Sequence, residues 1–136
     1  MLYGTTVESY LQSHINRLMR EIEDAEAVLF ATEEGLPVAF EARFNPDIVE
    51  RIAALSAMLF SVSRRASDIA KMGDMDYMEV SLDMGKIFLY RINGEIFLTV
   101  LTSPETNVGL VRLLAREVAD KTRQYMDNLK VEGGEG

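Results

Sequence analysis

Apolar residues recur at Val7, Leu11, Ile15, Leu18 and Ile22, and that spacing predicts a helix from Thr5 to about Asp24. Thr5 and Glu8 stand at capping-box distance at its start. The run Ala27-Val28-Leu29-Phe30-Ala31 is apolar on both faces and predicts a central strand over Glu26–Thr32. Glu33-Glu34-Gly35 makes a turn. Leu36, Val38 and Phe40 alternate along a second strand to Ala42, and Pro37 restricts it to an edge or to its own first residues. Asn45-Pro46 opens the longest element. Within it Ile48, Ile52, Leu55, Leu59, Val62, Ala66 and Ile69 alternate in steps of four and three, one stripe of a helix that Gly73 ends. Tyr77–Leu82 alternates cleanly and Lys86–Ile92 follows the turn Asp83-Met84-Gly85. Asn93-Gly94 is a strong hairpin signal, and Glu95–Leu101 is apolar on both faces. A last helix runs from about Thr106 to Leu129. The predicted order is α-β-β-α-β-β-β-α, an α/β (α+β) domain over residues 1–130. Residues 131–136, acidic and glycine-rich, read as a disordered tail.

The middle helix carries more apolar surface than one sheet contact uses. Residues 52–63 contain no charge, whereas a surface helix is polar on its outer side. With the Leu55 stripe set on the sheet, the far side carries Ala53, Ala57 and Phe60. Small residues there admit another backbone, and Phe60 offers an aromatic anchor. A helix enclosed by its own chain is the alternative. The strand Tyr77–Leu82 places Tyr77, Glu79 and Ser81 on its more polar face, as an edge strand able to pair with its own copy does. Ala53, Ala57, Phe60, Tyr77, Glu79 and Ser81 are therefore the expected dimer interface, joined by one two-fold operation.

Composition narrows the chemistry. The chain has 136 residues, 48% of them hydrophobic and 26% charged, the mix of one globular domain. Fourteen basic against 22 acidic residues leave a net charge of −8, which disfavours nucleic acid and anionic membranes. No apolar run is long enough to span a bilayer. Zero cysteines exclude disulfides and thiolate chemistry and fit a cytoplasmic setting. His14 is the only histidine; a helix-border residue is the simpler reading beside a base or metal ligand. No nucleophile elbow or phosphate-binding loop occurs, and Asp74 with Asp76 lack the rest of a calcium loop. The expectation is no enzyme, no metal and no cofactor. Met72, Met75, Met78 and Met84 gather near the third strand, as core filling or as an adaptable surface. Arg64-Arg65, with Asp68 one turn on, is the sharpest local basic feature and the expected partner contact, the alternative being solvated arginines near a helix C-terminus.

Two segments resemble the roadblock / dynein light chain family. Val28-Leu29-Phe30-Ala31-Thr32-Glu33-Glu34-Gly35-Leu36-Pro37-Val38-Ala39 is similar to its first hairpin. Leu98–Arg112, with Asn107-Val108-Gly109-Leu110-Val111-Arg112 the more specific part, is similar to its final strand and last helix. The resemblance covers residues 5 to 129. It implies a five-stranded antiparallel sheet ordered 2-1-5-4-3, helices one and three on one face and helix two on the other, and dimers that share a ten-stranded sheet through strand three and helix two. It also implies a non-enzymatic homodimeric regulator or scaffold of a Ras-like small GTPase of the prokaryotic type, as in the bacterial gliding-motility pair. The alternative it leaves is a structural adaptor subunit of a motor, filament or signalling complex without effect on nucleotide turnover. An arginine finger from Arg64 or Arg65 is the catalytic extreme of the first reading. A small-molecule sensor is a third, and the large apolar side chains on both strand faces predict no cavity for it.

Overall fold

A computed structural model describes residues 5–134. The elements are α1 (Thr5–Glu21), β1 (Ala25–Thr32), β2 (Pro37–Ala42), α2 (Ile48–Ala70), β3 (Tyr77–Leu82), β4 (Gly85–Arg91), β5 (Ile96–Thr102) and α3 (Val108–Gly134). The strands form one antiparallel sheet ordered β2-β1-β5-β4-β3. β1 and β5, apolar on both faces in sequence, lie in the interior of the sheet. Pro37 opens the edge strand β2, where a missing donor costs least.

Alternation along the strands sorts the core into two layers. Val28, Phe30, Phe88, Tyr90, Leu98 and Val100 face α1 and α3. Leu29, Ala31, Leu89 and Phe97 face α2. The first layer is sealed, with Leu11, Ile15 and Leu18 of α1 and Val111, Ala115 and Val118 of α3 wholly buried.

Local chemistry sets the element ends. Thr32 closes the β1–β2 turn: its carbonyl accepts from the Gly35 N–H at 2.8 Å and its hydroxyl accepts from Leu36 at 3.2 Å. Gly35 takes φ +87° there, a left-handed conformation costly for any residue with a Cβ. α2 begins two residues after Pro46, and the side chain of Asn45 accepts from the Asp47 N–H. It ends at Lys71 in the left-handed conformation, whose N–H donates to Ser67 O at 2.7 Å. Gly73, the expected stop, adopts positive φ two residues later. Asn107 caps α3 by accepting from the Leu110 N–H at 3.1 Å. α3 continues through Gly134, so Val131–Gly134, read as disordered tail from their composition, prolong a helix; Glu135 and Gly136 lie outside the described residues.

Candidate interaction surface

The row of α2 that meets the sheet is Val49, Ile52, Ala53, Ser56 and Phe60, all buried. Phe60 is 3% exposed and packs on Phe97 at 5.7 Å between ring centroids. Ser56 donates to Ile52 O at 2.7 Å and accepts from the hydroxyl of Thr99 on β5 at 2.9 Å. That polar pair is wholly buried and fixes the rotation of the helix on the sheet.

This placement corrects the expected interface on α2. Ala53 and Phe60 face their own sheet. The small residues do admit a close backbone, but it is the chain's own β1–β2 turn: a Cβ on Gly35 would stand 3.3 Å from Ala54 Cα and 3.7 Å from Ala57 Cβ. Both stripes of α2 are apolar, so spacing alone did not distinguish inside from outside. The stripe assigned to the sheet lies about a third of a turn round from the buried row, at ~100° per residue. Leu55 and Leu59 of that stripe are half-buried, while Val62 is 60% and Ile69 80% exposed, and the neighbouring Met58 is 64% exposed.

β3 is one of the two sheet edges, bonded only to β4, as β2 at the other edge is bonded only to β1. Its faces also differ from expectation. Tyr77, Glu79 and Ser81 are engaged within the chain on the α3 side. Tyr77 stacks on Tyr90 with centroids 5.3 Å apart. Glu79 receives two hydrogen bonds from Arg112, at 2.6 and 2.7 Å, which hold its carboxyl below the usual carboxylate range. Ser81 accepts from Lys86 at 2.7 Å. On the α2 side, Met78 packs on the core and Leu82 is exposed. Met72 and Met84 are exposed while Met75 and Met78 pack on the α2-side core, so the methionines divide between the two expected roles.

The basic pair also divides. Arg64 is committed: it donates to Gly94 O at 2.8 Å, pairs with Glu33 at 3.0 Å and stacks 4.8 Å over the Phe60 ring. Arg65 and Asp68 are exposed, with no ion pair among the described residues. A surface pocket of about 280 Å³ opens between the end of α2 and the β4–β5 hairpin, walled by Ser63, Arg64, Asp68, Asp74 and Arg91 over Phe60. Two carboxylates and two guanidiniums line it, which favours no ligand of single charge.

The remaining candidates are structural. Asp76, set aside above as part of a calcium loop, forms a bidentate pair with Arg116 at 3.0 and 2.7 Å. His14 sits in the α1–α3 seam, edge-on to Tyr10 at 4.8 Å, with Nε2 buried and unpartnered among the described residues. Burial, then Lys121 and Arg17, push its pKa below the ordinary value, against the pull of Glu117. Burial likewise drives Tyr90 up to about 12. No group of three or more metal-ligating side chains comes together among the described residues, and no described helix is long and apolar enough to cross a membrane. Sequence reasoning missed the row Arg112, Arg116 and Arg123 on α3. Its helical spacing was visible; its carboxylate and carbonyl partners were not.

Comparison with known proteins agrees with this architecture. Residues 12–102 match the family model described as Roadblock/LC7 domain. An uncharacterized protein of Methanocaldococcus jannaschii is 26% identical over 116 residues, covering 83% of this chain and 97% of its own. Among solved structures, Myxococcus xanthus MglB superposes with a TM-score of 0.85 at 15% identity, over 95% of this chain and 96% of that one. The Roadblock/LC7 domain from Streptomyces avermitilis gives 0.77 at 21% identity, over 85% and 97%. The gliding protein MglB from Thermus thermophilus gives 0.80 at 13% identity, over 91% and 93%.

Proposed function

We propose that this chain, which belongs to the Roadblock/LC7 domain family, is a homodimeric regulator or scaffold for a Ras-like small GTPase. Family membership supports a regulatory or adaptor role rather than an enzymatic one. One observation carries the dimer: an exposed apolar stripe on α2, through Met58, Val62 and Ile69, in a molecule that also leaves the edge of β3 unpaired. Both fit a partner of the same kind, since apolar area and open ladder groups are satisfied together when a copy is added by a two-fold axis. The interface is therefore the Met58–Val62–Ile69 stripe with the β3 backbone edge, in place of Ala53, Ala57 and Phe60.

The likeness to MglB, a GTPase-regulating protein, supports a GTPase partner. The ties of Arg64 to Gly94, Glu33 and Phe60 leave it unsuited to act as a finger. Arg65 and Asp68 are the contacts offered to the partner, and the action is conformational: the dimer holds the mobile switch segments of the GTPase in one arrangement. The first test is Val62→Glu. It should give a folded monomer by sedimentation and circular dichroism, and a dimeric variant would overturn the interface. The second is GTP turnover by a small GTPase encoded beside this chain. A changed rate supports the regulator; binding without change supports the adaptor; no binding overturns the GTPase reading.

A further inference from the structure

We infer that Arg112 and Arg116 are positioning residues: from α3 they hold the edge strand β3 in the shape that pairing with its copy needs, and so set the strength of the dimer. The inference rests on the dimer reading above and adds to it the device that controls the edge.

Apolar packing holds β3 through Met78 and leaves its two ends half open. α3 lies on β4 and β5, and α2 on β1, β2 and β5. Tyr77 and Leu82, the two ends of β3, are 45% and 56% exposed. An edge strand held by one neighbour has freedom to twist and fray, whereas addition of a copy needs a ladder in register along its length. Arginines reach across this gap. Arg112 grips Glu79 in mid-strand and Arg116 grips Asp76 just before the strand, each through two nitrogens on two oxygens. A bidentate guanidinium fixes orientation as well as distance, which a single ammonium contact does not. Arg116 also lies 5.1 Å over the Tyr90 ring, on which Tyr77 stacks. The row continues through Asp120 to Arg123, which donates to the carbonyls of Arg91 and Ile92 at the end of β4. The β3–β4 ribbon is thus strapped to α3 from one end to its middle.

These side chains are partly open to solvent, so salt weakens the straps while leaving apolar contact largely untouched. The experiment measures the dimer dissociation constant of the full chain by sedimentation equilibrium at low and high salt. It compares wild type, Arg112→Gln with Arg116→Gln, and the exchange Arg112→Glu with Glu79→Arg. The double glutamine variant should keep its circular dichroism spectrum and bind its copy more weakly at low salt. An exposed pair is worth up to about fivefold and a two-fold dimer carries it twice, so about 25-fold per strap is the ceiling. The difference should shrink at high salt, and the exchanged pair should recover most of the loss. Amide exchange over 77–82 should quicken in the double variant. Equal dissociation constants for a dimeric wild type and variant, with unchanged exchange, overturn the positioning role alone. A monomeric wild type overturns the dimer reading together with it.

Discussion

The two faces of the sheet are finished differently. On one, α1 and α3 lie side by side and bury the central side chains between them and the strands, from Leu11 and Ile15 to Phe30 and Leu98. On the other, α2 lies alone over β1, β2 and β5. Beneath it Leu29, Phe60 and Phe97 are as dry as the opposite core, but beyond it an apolar stripe and the β3 edge stay open. One helix is about 10–12 Å wide with its side chains, whereas five strands spaced ~4.8 Å apart are about twice that. The uncovered part includes the exposed apolar side chains Met58, Val62 and Ile69, the surface that the proposed dimer would cover.

Substitution under α2 should expose that division most sharply. Phe60→Glu removes packing worth about 3–5 kcal/mol and buries a carboxylate among apolar neighbours. A chain largely unfolded by circular dichroism is expected, in contrast to the folded monomer from Val62→Glu; a folded Phe60→Glu chain would mean that this side chain leaves the core at little cost. Ser56→Ala should cost about 1–3 kcal/mol in urea unfolding, because the Thr99 hydroxyl loses its acceptor in a dry site. Adding Thr99→Val should recover most of it, and failure to do so would deny the pair its role in seating α2. The smallest effect belongs to the sealed face. The fold favours neutral His14, while the unfolded chain takes up a proton near the ordinary value of 6.5. Stability should fall as the pH drops below that value, through the window down to the lowered folded pKa. His14→Leu should flatten this part of the curve of unfolding free energy against pH, and an unchanged slope would show that the ring is solvated.

Element type and order were legible because they rest on local rules. Steps of three and four, alternation, Asn93-Gly94 and Pro37 each act within a few residues, and the segments similar to a known family carried the strand order as well. The edge character of β3 followed from its alternation. The contact residues did not follow, since α2 has two apolar stripes and periodicity ranks neither. Likewise Glu79 read as part of a dimer interface, and Asp76 as a carboxylate without a ligand role, while α3, more than thirty residues away in the chain, brings Arg112 and Arg116 to them.

By itself, then, the sequence determined a three-helix, five-strand domain with apolar surface to spare and no equipment for catalysis in any motif it displays. Only the tertiary structure decided which stripe of α2 is inside. The β1–β2 turn at Gly35 needs alanines beneath it, and the Thr99 hydroxyl needs Ser56 opposite. Those demands come from residues far apart in the chain, and together they turn Phe60 inward and leave Val62 on the outer side.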